Sequence, residues 1–336
     1  MSKRQRLITI VGILISAVFL WIAFNDLNPA AVWTHIRSAN MPLILLSAVW
    51  YFSNIIVISM RWQYLMRPVR FVPLRKLFEL VCIAYMGNNV YPLRAGEALR
   101  IALLNRSERI PIAQASMVVI IERIFDGLVM LTFIVVALPL LNIASEEMRS
   151  ITLVSAPLFL ILLGAFFVVA LRPQLLRWMI GVFARLLPGK LAQIVTDLGE
   201  DVIAGLECLR TPGDLFKAIV LSYGSWLLAA SAYWLVALAF NLTVDLPTML
   251  LAVGAVNLAG LIPASPGQFG VFEFFIILVL TAVGVGEAQA TAYALALHAV
   301  VWLPVTLVGF YYLARRGLGL GALTRASDLQ KEGTAS

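Results

Sequence analysis

A series of apolar runs, each long enough to cross a lipid bilayer, constrains the fold of this chain most. The hydrocarbon core of a bilayer takes about 20 consecutive apolar residues. The runs that reach or approach this length are 7–24, 42–60, 112–141, 151–171, 216–240 and 288–314. Only 13% of all residues are charged, against roughly 25% in soluble domains. The sequence therefore predicts an all-α polytopic membrane protein with about six full crossings.

The positive charges predict how these crossings are oriented, because Lys and Arg concentrate in cytoplasmic loops. The N-terminus carries three basic residues in its first six positions, and the stretch 61–76 carries five, Arg61 among them. Of the 25 basic residues, this scheme places only Arg37 and Arg149 in outer loops. We expect both termini on the cytoplasmic side of the inner membrane, with 61–76 as a basic cytoplasmic loop.

Two further apolar segments are interrupted by proline and glycine. In the first, the arms 77–86 and 98–104 are too short to span, and basic residues lie on both sides. We expect a re-entrant helical hairpin whose tip is NNVYPLRAGEALR, residues 88–100. The second hairpin covers 248–283 and breaks at IPASPGQFGVFE. Irregular backbone at membrane depth must be buried in protein or face a cavity, so neither tip is expected to face lipid.

The two hairpins belong to a predicted internal repeat. PLRAG (92–96) and PASPG (263–267) share the pattern Pro-x-x-x-Gly at the break. Nearly identical tetrapeptides, AQAS (113–116) and AQAT (288–291), open the span that follows each hairpin. An odd number of crossings separates the two copies, so the second copy is predicted to be inverted relative to the first. Inverted repeats with broken helices are typical of transporters.

Residues 1–316 form one predicted transmembrane domain. Repeat one lies at about 43–141 and repeat two at about 217–314, with an extra span and a cytoplasmic linker at about 172–212 between them. Part of the linker places apolar and acidic residues on opposite helical faces, which predicts an amphipathic helix on the membrane surface or against a partner. The Gly-, Ser- and charge-rich tail 317–336 is predicted to be disordered.

Charged residues lie at the tip of the first hairpin, where a charge in lipid would cost roughly 2.5–3.5 kcal/mol. Pro92 ends the first arm and Gly96 permits the turn. The guanidinium of Arg94 suits a phosphate, and a helix that starts near Gly96 would point N–H groups at the same anion. Alternatively, Arg94 pairs with Glu97. Arg100 either binds an anion as well or extends to the cytoplasmic interface.

The span 112–141 carries charges of its own in the sequence IERIFDG. Glu122 and Asp126 share one helical face, and Arg123 lies three residues before Asp126. Within a membrane this pattern predicts either a proton or ion relay, or a structural cluster that neutralises itself.

The second repeat has fewer ionisable groups. Glu273 is the sole acid of the second hairpin, and His298 occupies the place, counted from the AQA tetrapeptide, that Arg123 occupies in repeat one. Imidazole titrates near neutral pH, so Glu273 and His298 are candidates for gating or charge relay. A hydrogen-bonded structural histidine is the alternative.

The sequence contains no motif that indicates catalysis, a cofactor or a metal. Cys82 and Cys208 are far apart, two histidines cannot make a His-rich site, and no Walker loop or HExxH sequence is present. The net charge of +7 concentrates in predicted cytoplasmic loops, which indicates a membrane rather than a nucleic acid as partner. The tryptophans, Trp62 among them, are assigned to an interfacial belt. We expect a protein that is not an enzyme.

Three motifs in this order, NNVYPLRAGEALR, ERIFDG and LIPASPGQFGVFE, resemble the lysylphosphatidylglycerol synthase transmembrane region, a family of flippase-like membrane proteins. The resemblance covers about 7–314 and implies a bacterial or archaeal inner-membrane protein that handles lipids. It also implies roles for residues outside the charged set, namely Asn89, Pro92, Gly96, Pro263, Pro266, Gly267 and Gly270.

Two features depart from the family pattern. His298 stands where the last span of the family is expected to carry an arginine. No aminoacyl-transferase domain is expected, because about twenty residues follow the last span. The synthase activity in the family name is therefore not carried over.

We expect a flippase that moves an anionic lipid headgroup, from a phospholipid or a polyprenyl-phosphate-linked sugar. The residues predicted to bind the headgroup are Arg94, Arg100, Asn89, Glu97 and Arg123. The alternative is a non-transporting scaffold for a glycosyltransferase or a lipid-modifying enzyme. A membrane-embedded transferase would need Glu97, Glu122 or Asp126 as its base. A homodimer is compatible with the sequence.

Overall fold

The computed structural model describes residues 3–24, 28–67, 69–91, 95–141, 172–185, 187–189, 191–193, 195–197, 199–200, 212–260 and 265–317. Within these ranges all regular structure is helical. The predicted span 151–171, Cys208 and the tail 318–336 lie outside the described residues.

Eleven α-helices are distinguished in the described ranges. They are α1 (Lys3–Phe24), α2 (Pro29–Ser38), α3 (Met41–Met66), α4 (Leu74–Val90), α5 (Ala95–Glu108), α6 (Ile112–Ala137), α7 (Pro173–Ala184), α8 (Pro212–Ala239), α9 (Leu246–Ala259), α10 (Val271–Ala282) and α11 (Glu287–Arg315). Short 3-10 turns lie at Leu138–Leu140 and Pro266–Gln268.

Several helices begin where the sequence supplies both a cap and a proline. Asn28, Asn40 and Asp245 precede α2, α3 and α9, and each side chain accepts a backbone N–H from the first helical turn. A proline occupies one of the first two positions of all three helices, where its missing N–H costs no helical hydrogen bond. These starts are therefore fixed locally, before any tertiary packing.

Three of the described helices are long and apolar enough to cross a membrane by length and composition: Met41–Met66, Gly213–Ala239 and Glu287–Arg315. A fourth span results if Ile10–Phe24 and Pro29–Ser38, which are bent by 84°, count as one. Helix α6 is as long as α3 but carries Glu122, Arg123 and Asp126 near its middle.

The boundaries differ from the sequence prediction in two places. The span predicted to end at residue 60 continues as α3 to Met66, so Arg61 lies inside a helix and not in the predicted cytoplasmic loop. Its side chain is buried because it meets acidic partners in the core. The stretch after the first span, predicted as a loop, contains α2, because Asn28 caps a helix that starts at Pro29.

Both predicted hairpins are observed as helix pairs with a break. In the first, α4 and α5 extend beyond the predicted arms and flank the break at residues 91–94. In the second, α9 and α10 flank residues 260–270, which contain the 3-10 turn Pro266–Gln268.

The helices pack in a definite order around these hairpins. Helix α3 lies along α8, α4 along α11, and α6 along α9. Within each hairpin the two arms pack together, and the second arm packs on the helix that follows it, α5 on α6 and α10 on α11. The helices of the first and second halves of the chain are thus interleaved.

The predicted linker contains α7 and part of the predicted amphipathic helix. Residues 191–193, 195–197 and 199–200 are helical, and the remainder of that prediction, from 201 on, lies outside the described residues. Helix α7 exposes Trp178 and Phe183, and Arg177 is 3.2 Å from Glu200.

Candidate functional site

The first hairpin is closed by an unusually near approach of its two arms. A methyl group on Gly96 of α5 would lie 1.8 Å from the carbonyl oxygen of Ala84 in α4. Glycine is therefore required here for the space it leaves free. At the end of α4, the N–H of Tyr91 donates to the carbonyl of Gly87 over 2.9 Å. This bond closes the last turn of α4 directly before the break.

Glu122 of α6 is the centre of a buried charge cluster. Its two carboxylate oxygens lie 2.7 Å from a guanidinium nitrogen of Arg61 and 2.6 Å from one of Arg100. Arg123 is 3.3 Å away, and the indole N–H of Trp62 donates to Glu122 over 2.7 Å. All four partners approach one side chain that solvent does not reach.

Asp126, one turn further along α6, extends the cluster to α8. It is 2.6 Å from Arg61 and 3.2 Å from Arg123, and it accepts the indole N–H of Trp226 over 2.8 Å. Arg61 also donates to the hydroxyl of Ser222 over 3.2 Å. The cluster therefore joins α3, α5, α6 and α8 through charged hydrogen bonds, which are roughly twice as strong as neutral ones.

Arg123 differs from the other two arginines of the cluster in its accessibility. Its side chain is 34% exposed, compared with 2% for Arg61 and for Arg100. It also lies 3.7 Å from Glu97 at the start of α5. Of these three arginines, Arg123 has the most accessible side chain, and its terminal nitrogens face Glu97, Glu122 and Asp126.

The chemistry of the cluster suits a fixed charge more than a proton relay. Arginine does not give up its proton in proteins, and both carboxylates on α6 face at least two guanidinium groups. Arg100 also stacks on the ring of Trp62, with 3.8 Å between its guanidinium carbon and the ring centroid. The side chain of Arg100 is thus occupied within the core and does not extend to the interface.

A second polar group surrounds the break before α10. Nδ1 of His298 lies 2.5 Å from Glu273, and Nε2 lies 3.0 Å from the carbonyl oxygen of Gly267. The other oxygen of Glu273 accepts the N–H of Gly270 over 2.7 Å. Gly267 and Gly270 have φ angles of 71° and 88°, a region that favours glycine. The histidine thereby holds the break to α11.

The two helix breaks meet each other. The side chain of Asn89, near the end of α4, donates to the hydroxyl of Thr306 over 2.8 Å and to the carbonyl of Trp302 over 3.4 Å. A methyl group on Gly267 would lie 3.2 Å from the carbonyl oxygen of Asn89 and 2.7 Å from the indole nitrogen of Trp302. The tip of the first hairpin and the break of the second are therefore in contact.

The predicted site residues fall into two groups and an undescribed remainder. One group is Glu97, Arg100, Glu122, Arg123 and Asp126, and the other is Asn89, Pro266, Gly267, Gly270, Glu273 and His298. Pro92, Arg94 and Pro263 lie outside the described residues. Among the described residues, no group of three or more His, Cys, Asp and Glu side chains could hold a metal ion.

Sequence reasoning missed four members of the charge cluster: Arg61, Trp62, Ser222 and Trp226. Trp62 was assigned to the interfacial belt, but it is fully buried because its indole serves Glu122. The helical spacing of Arg61 was a signal that could have placed it in the core. It continues one face of α3 with Asn54, Ile58 and Leu65, and all four residues are buried.

Comparison with known proteins identifies the family. The model of the lysylphosphatidylglycerol synthase transmembrane region matches residues 9–309. The chain belongs to this family. The expectation from the three sequence motifs is thus confirmed, and together with the long apolar helices the match makes this a multi-pass membrane protein.

One curated relative of this lysylphosphatidylglycerol synthase transmembrane family member is the protein named Glycosyltransferase AglD, from Haloferax volcanii. The two are 23% identical over 335 residues, and the match covers 91% of this chain and 54% of the relative. The chain therefore spans about half the length of the curated relative that it matches.

Proposed function

We propose that this protein moves an anionic lipid headgroup across the cytoplasmic membrane. The observation that carries the proposal is the contact between the two helix breaks, with Asn89 of one against Gly267 of the other. Irregular backbone at membrane depth is tolerated where it is buried or lines a cavity, and broken helices that meet in this way form the binding sites of transporters.

The helix packing supports an organisation in two inverted units, α3–α6 and α8–α11. Helix α3 packs on its proposed counterpart α8, and the contact of α4 with α11 has its counterpart in the contact of α9 with α6. These main helix contacts between the units are thus either their own equivalent or one of a pair. A two-fold axis produces this pattern, and the AQAS and AQAT tetrapeptides support it.

The depth of the polar groups fits a site near the bilayer midplane. Arg123 lies eleven positions after the first residue of α6, and His298 lies eleven positions after the first residue of α11. At 1.5 Å per residue both are about 16 Å from the helix start, which is about half of a hydrocarbon core of ~30 Å.

In this proposal the headgroup contacts Arg123, and Arg94, Asn89 and Glu97 are its further proposed ligands. Arg100, which was also predicted to bind the headgroup, stays in the buried cluster with Glu122, and the acyl chains stay in the bilayer. A guanidinium offers a phosphate two donors in matching geometry. Glu122 and Asp126 balance the arginines when no phosphate is bound. The cargo is an anionic phospholipid or a polyprenyl-phosphate-linked sugar, and no catalytic step is assigned to the protein.

The proposed topology has six crossings, two re-entrant hairpins and both termini in the cytoplasm. The distribution of Lys and Arg supports it, with Arg37 and Arg149 as the only basic residues in outer loops. The inner membrane is the proposed location, and a homodimer is compatible with the proposal.

The test is a transport assay with purified protein in liposomes that contain acyl-labelled fluorescent phosphatidylglycerol. Dithionite bleaches the outer leaflet, so headgroup movement appears as additional bleaching. We expect the wild-type protein to move this probe, and Arg123→Gln and Arg94→Ala to lose at least ten-fold in rate, or about 1.4 kcal/mol. Arg75→Gln is the matched control. The side chain of Arg75 is 78% exposed, and its ion pair with Glu79 is long, at 3.9 Å. Unchanged transport in both hairpin-site variants would refute the proposed site.

A scaffold is the second candidate function, and the name of the relative favours it. That protein is called a glycosyltransferase, and this chain matches about half of it. A scaffold would move no lipid in the assay and would tolerate Arg123→Gln. It would instead lose its enzyme partner when the exposed Arg67 and Arg75 are both changed to Glu.

A further inference from the structure

The two proposed units place chemically different pairs at equivalent positions. Glu97 is the third residue of α5 and Glu273 the third residue of α10, so each begins the second arm of its hairpin. Glu97 faces Arg123 over 3.7 Å, and Glu273 faces His298 over 2.5 Å. Arg123 and His298 lie equally far beyond the AQA tetrapeptides. One unit thus has a permanent cation where the other has a group that titrates.

The contacts of His298 fix how many protons the pair with Glu273 holds. The carbonyl of Gly267 can only accept, so Nε2 must carry a proton to make its 3.0 Å contact. A second proton must lie between Nδ1 and Glu273, because two lone pairs would repel at 2.5 Å. The pair holds the same number of protons whether it is imidazolium with carboxylate or imidazole with carboxylic acid. A pair that makes both contacts is therefore proton-loaded and carries no net charge.

Loss of one proton must break one of these two contacts. If the remaining ring proton is on Nδ1, the contact with Glu273 is kept and Gly267 faces a bare nitrogen. If it is on Nε2, the ring faces a carboxylate with its lone pair. The contact with the carboxylate is charge-assisted and the stronger of the two, so the bond to Gly267 is released. The proton passes to water, and the pair is left with one negative charge.

The surroundings confine this change to the helix break. The rings of Phe269 and Phe272 lie over the imidazole, at centroid distances of 4.6 and 4.5 Å, and keep both nitrogens aimed at their acceptors. Gly267, the released residue, is the one that abuts Asn89 and Trp302. Deprotonation therefore loosens the junction between the two breaks and leaves most of the bundle unchanged.

Several other ionisable side chains on α11 and on the helices packed against it contact groups other than His298 in the described part of the chain. On α3, Arg61 pairs with Glu122 and Asp126, and on α4, Glu79 pairs with Arg316. On α2, Arg37 lies over Trp33. On α11 itself, the hydroxyl of Tyr293 donates to the carbonyl of Tyr233 in α8. Glu273 is the charged partner recorded for His298.

We propose that His298 and Glu273 form the proton site that couples headgroup movement to the proton gradient. This inference rests on the proposed transport function and names its energy source. The loaded pair is neutral and admits an anionic phosphate beside it, whereas the unloaded pair carries a negative charge and repels one. One proton and one monoanionic headgroup move together, so the step is electroneutral.

The proton site can be tested without transport, because the chain contains only two histidines. In protein labelled with 15N-histidine, His35→Gln assigns the two imidazoles. With rising pH we expect His298 to pass from the doubly protonated or proton-sharing state to the tautomer with the proton on Nδ1. The 13C signal of the Gly267 carbonyl should shift at the same midpoint. A ring that keeps one state between about pH 5 and about pH 9, or that retains its proton on Nε2, overturns the proposal.

The coupling is tested in the liposome assay with fluorescent phosphatidylglycerol and an imposed pH gradient. One-for-one coupling lets a gradient of one pH unit shift the ratio of the probe between leaflets by up to about tenfold. His298→Gln and His298→Arg should abolish this response, and His35→Gln should keep it. A response that persists in both His298 variants overturns the proposal.

The two proposals fail in different ways. If the probe moves but its distribution ignores the gradient, coupling is refuted and the transport function stands. If the probe does not move in any gradient, transport of phosphatidylglycerol is refuted, and the imidazole spectra alone decide whether the proton site exists.

Discussion

Glu122 accepts hydrogen bonds from three side chains, Arg61, Trp62 and Arg100, at a position that solvent does not reach. Taking a charge out of water costs several kcal/mol unless it is paired and hydrogen-bonded. The price of burial is therefore offset only while the set is complete. Removal of a single guanidinium leaves the two buried carboxylates with less positive charge to offset their burial.

We expect Arg61→Met to destabilise the protein by about 3–5 kcal/mol, because it leaves Glu122 and Asp126 with one guanidinium fewer in the core. The methionine preserves most of the apolar stem, so the loss reports on charge. Thermal unfolding can be followed with a thiol-reactive dye in a Cys208→Ser background, since Cys82 is fully buried in the fold.

Two controls make this prediction specific. The first control is Arg67→Met, about one and a half helical turns after Arg61. It removes a half-exposed ion pair, 3.8 Å long, with Asp214, and should lower the stability of the protein by about 1 kcal/mol or less. Arg61→Met combined with Asp126→Asn should be more stable than Arg61→Met alone, because the unmatched carboxylate is gone. A double variant no better than the single one contradicts the charge argument.

Arg61 also explains why part of the site was not predictable. A hydropathy window ends at the first arginine, and the positive-inside rule then assigns that arginine to a loop. Both inferences use residues near in sequence, whereas the carboxylates that bury Arg61 lie 61 and 65 positions away. The pair of Arg123 and Asp126 was predictable because both residues lie on one helix.

At the scale of the helices, the close packing of α4 against α5 depends on Gly96, which has no side chain. Gly96→Ala would place its Cβ 1.8 Å from the carbonyl oxygen of Ala84, and backbone cannot yield as a flexible side chain can. We expect a loss of about 3 kcal/mol or more in stability, measured with the same Cys82 probe.

The matched control is Gly224→Ala in α8, where an added methyl group meets nothing within 4 Å. It should leave stability unchanged or raise it by up to about 1 kcal/mol, because alanine is the better helix former. Equal effects of the two substitutions would show that the close packing of α4 and α5 is not maintained in the protein.

The breaks of both hairpins were predictable, and the lengths of their arms were not. Proline and glycine within five residues of each other disfavour a continuous helix, so PLRAG and PASPG located the breaks. The arms of the first hairpin were underestimated because Arg75, Lys76 and Arg106 at their ends lowered the hydropathy. Those charges are compatible with the longer helices that α4 and α5 form.

For the whole molecule, the proposed topology places Ser38 outside and Ser107 inside. Both residues are exposed. In a background with Cys82→Ala and Cys208→Ser, we expect a membrane-impermeant maleimide to label Ser38→Cys in intact cells. Ser107→Cys should be labelled only after the membrane is opened. Labelling of both from the same side contradicts the proposed scheme.

For the whole molecule, the sequence predicted which segments are helical better than which helices pack against each other. The repeat predicted from AQAS and AQAT implies that α3 and α8 are equivalent, but not that they lie side by side. That contact joins residues as distant as Ser47 and Ala232. Such pairing depends on the shape of both helix faces, which periodicity alone does not contain.

The order of residues in the charge cluster has a consequence for how the protein is made. Arg61 and Arg100 both precede Glu122 and Asp126 in the chain, and Arg61 leads Glu122 by 61 residues. At roughly 5–20 residues per second, a ribosome takes about 3 to 12 seconds to supply the matching carboxylate. During that time we expect the end of α3 to stay at the aqueous surface. We expect it to enter the membrane interior once α6 has been synthesised, so that the sixth helix completes insertion of the third.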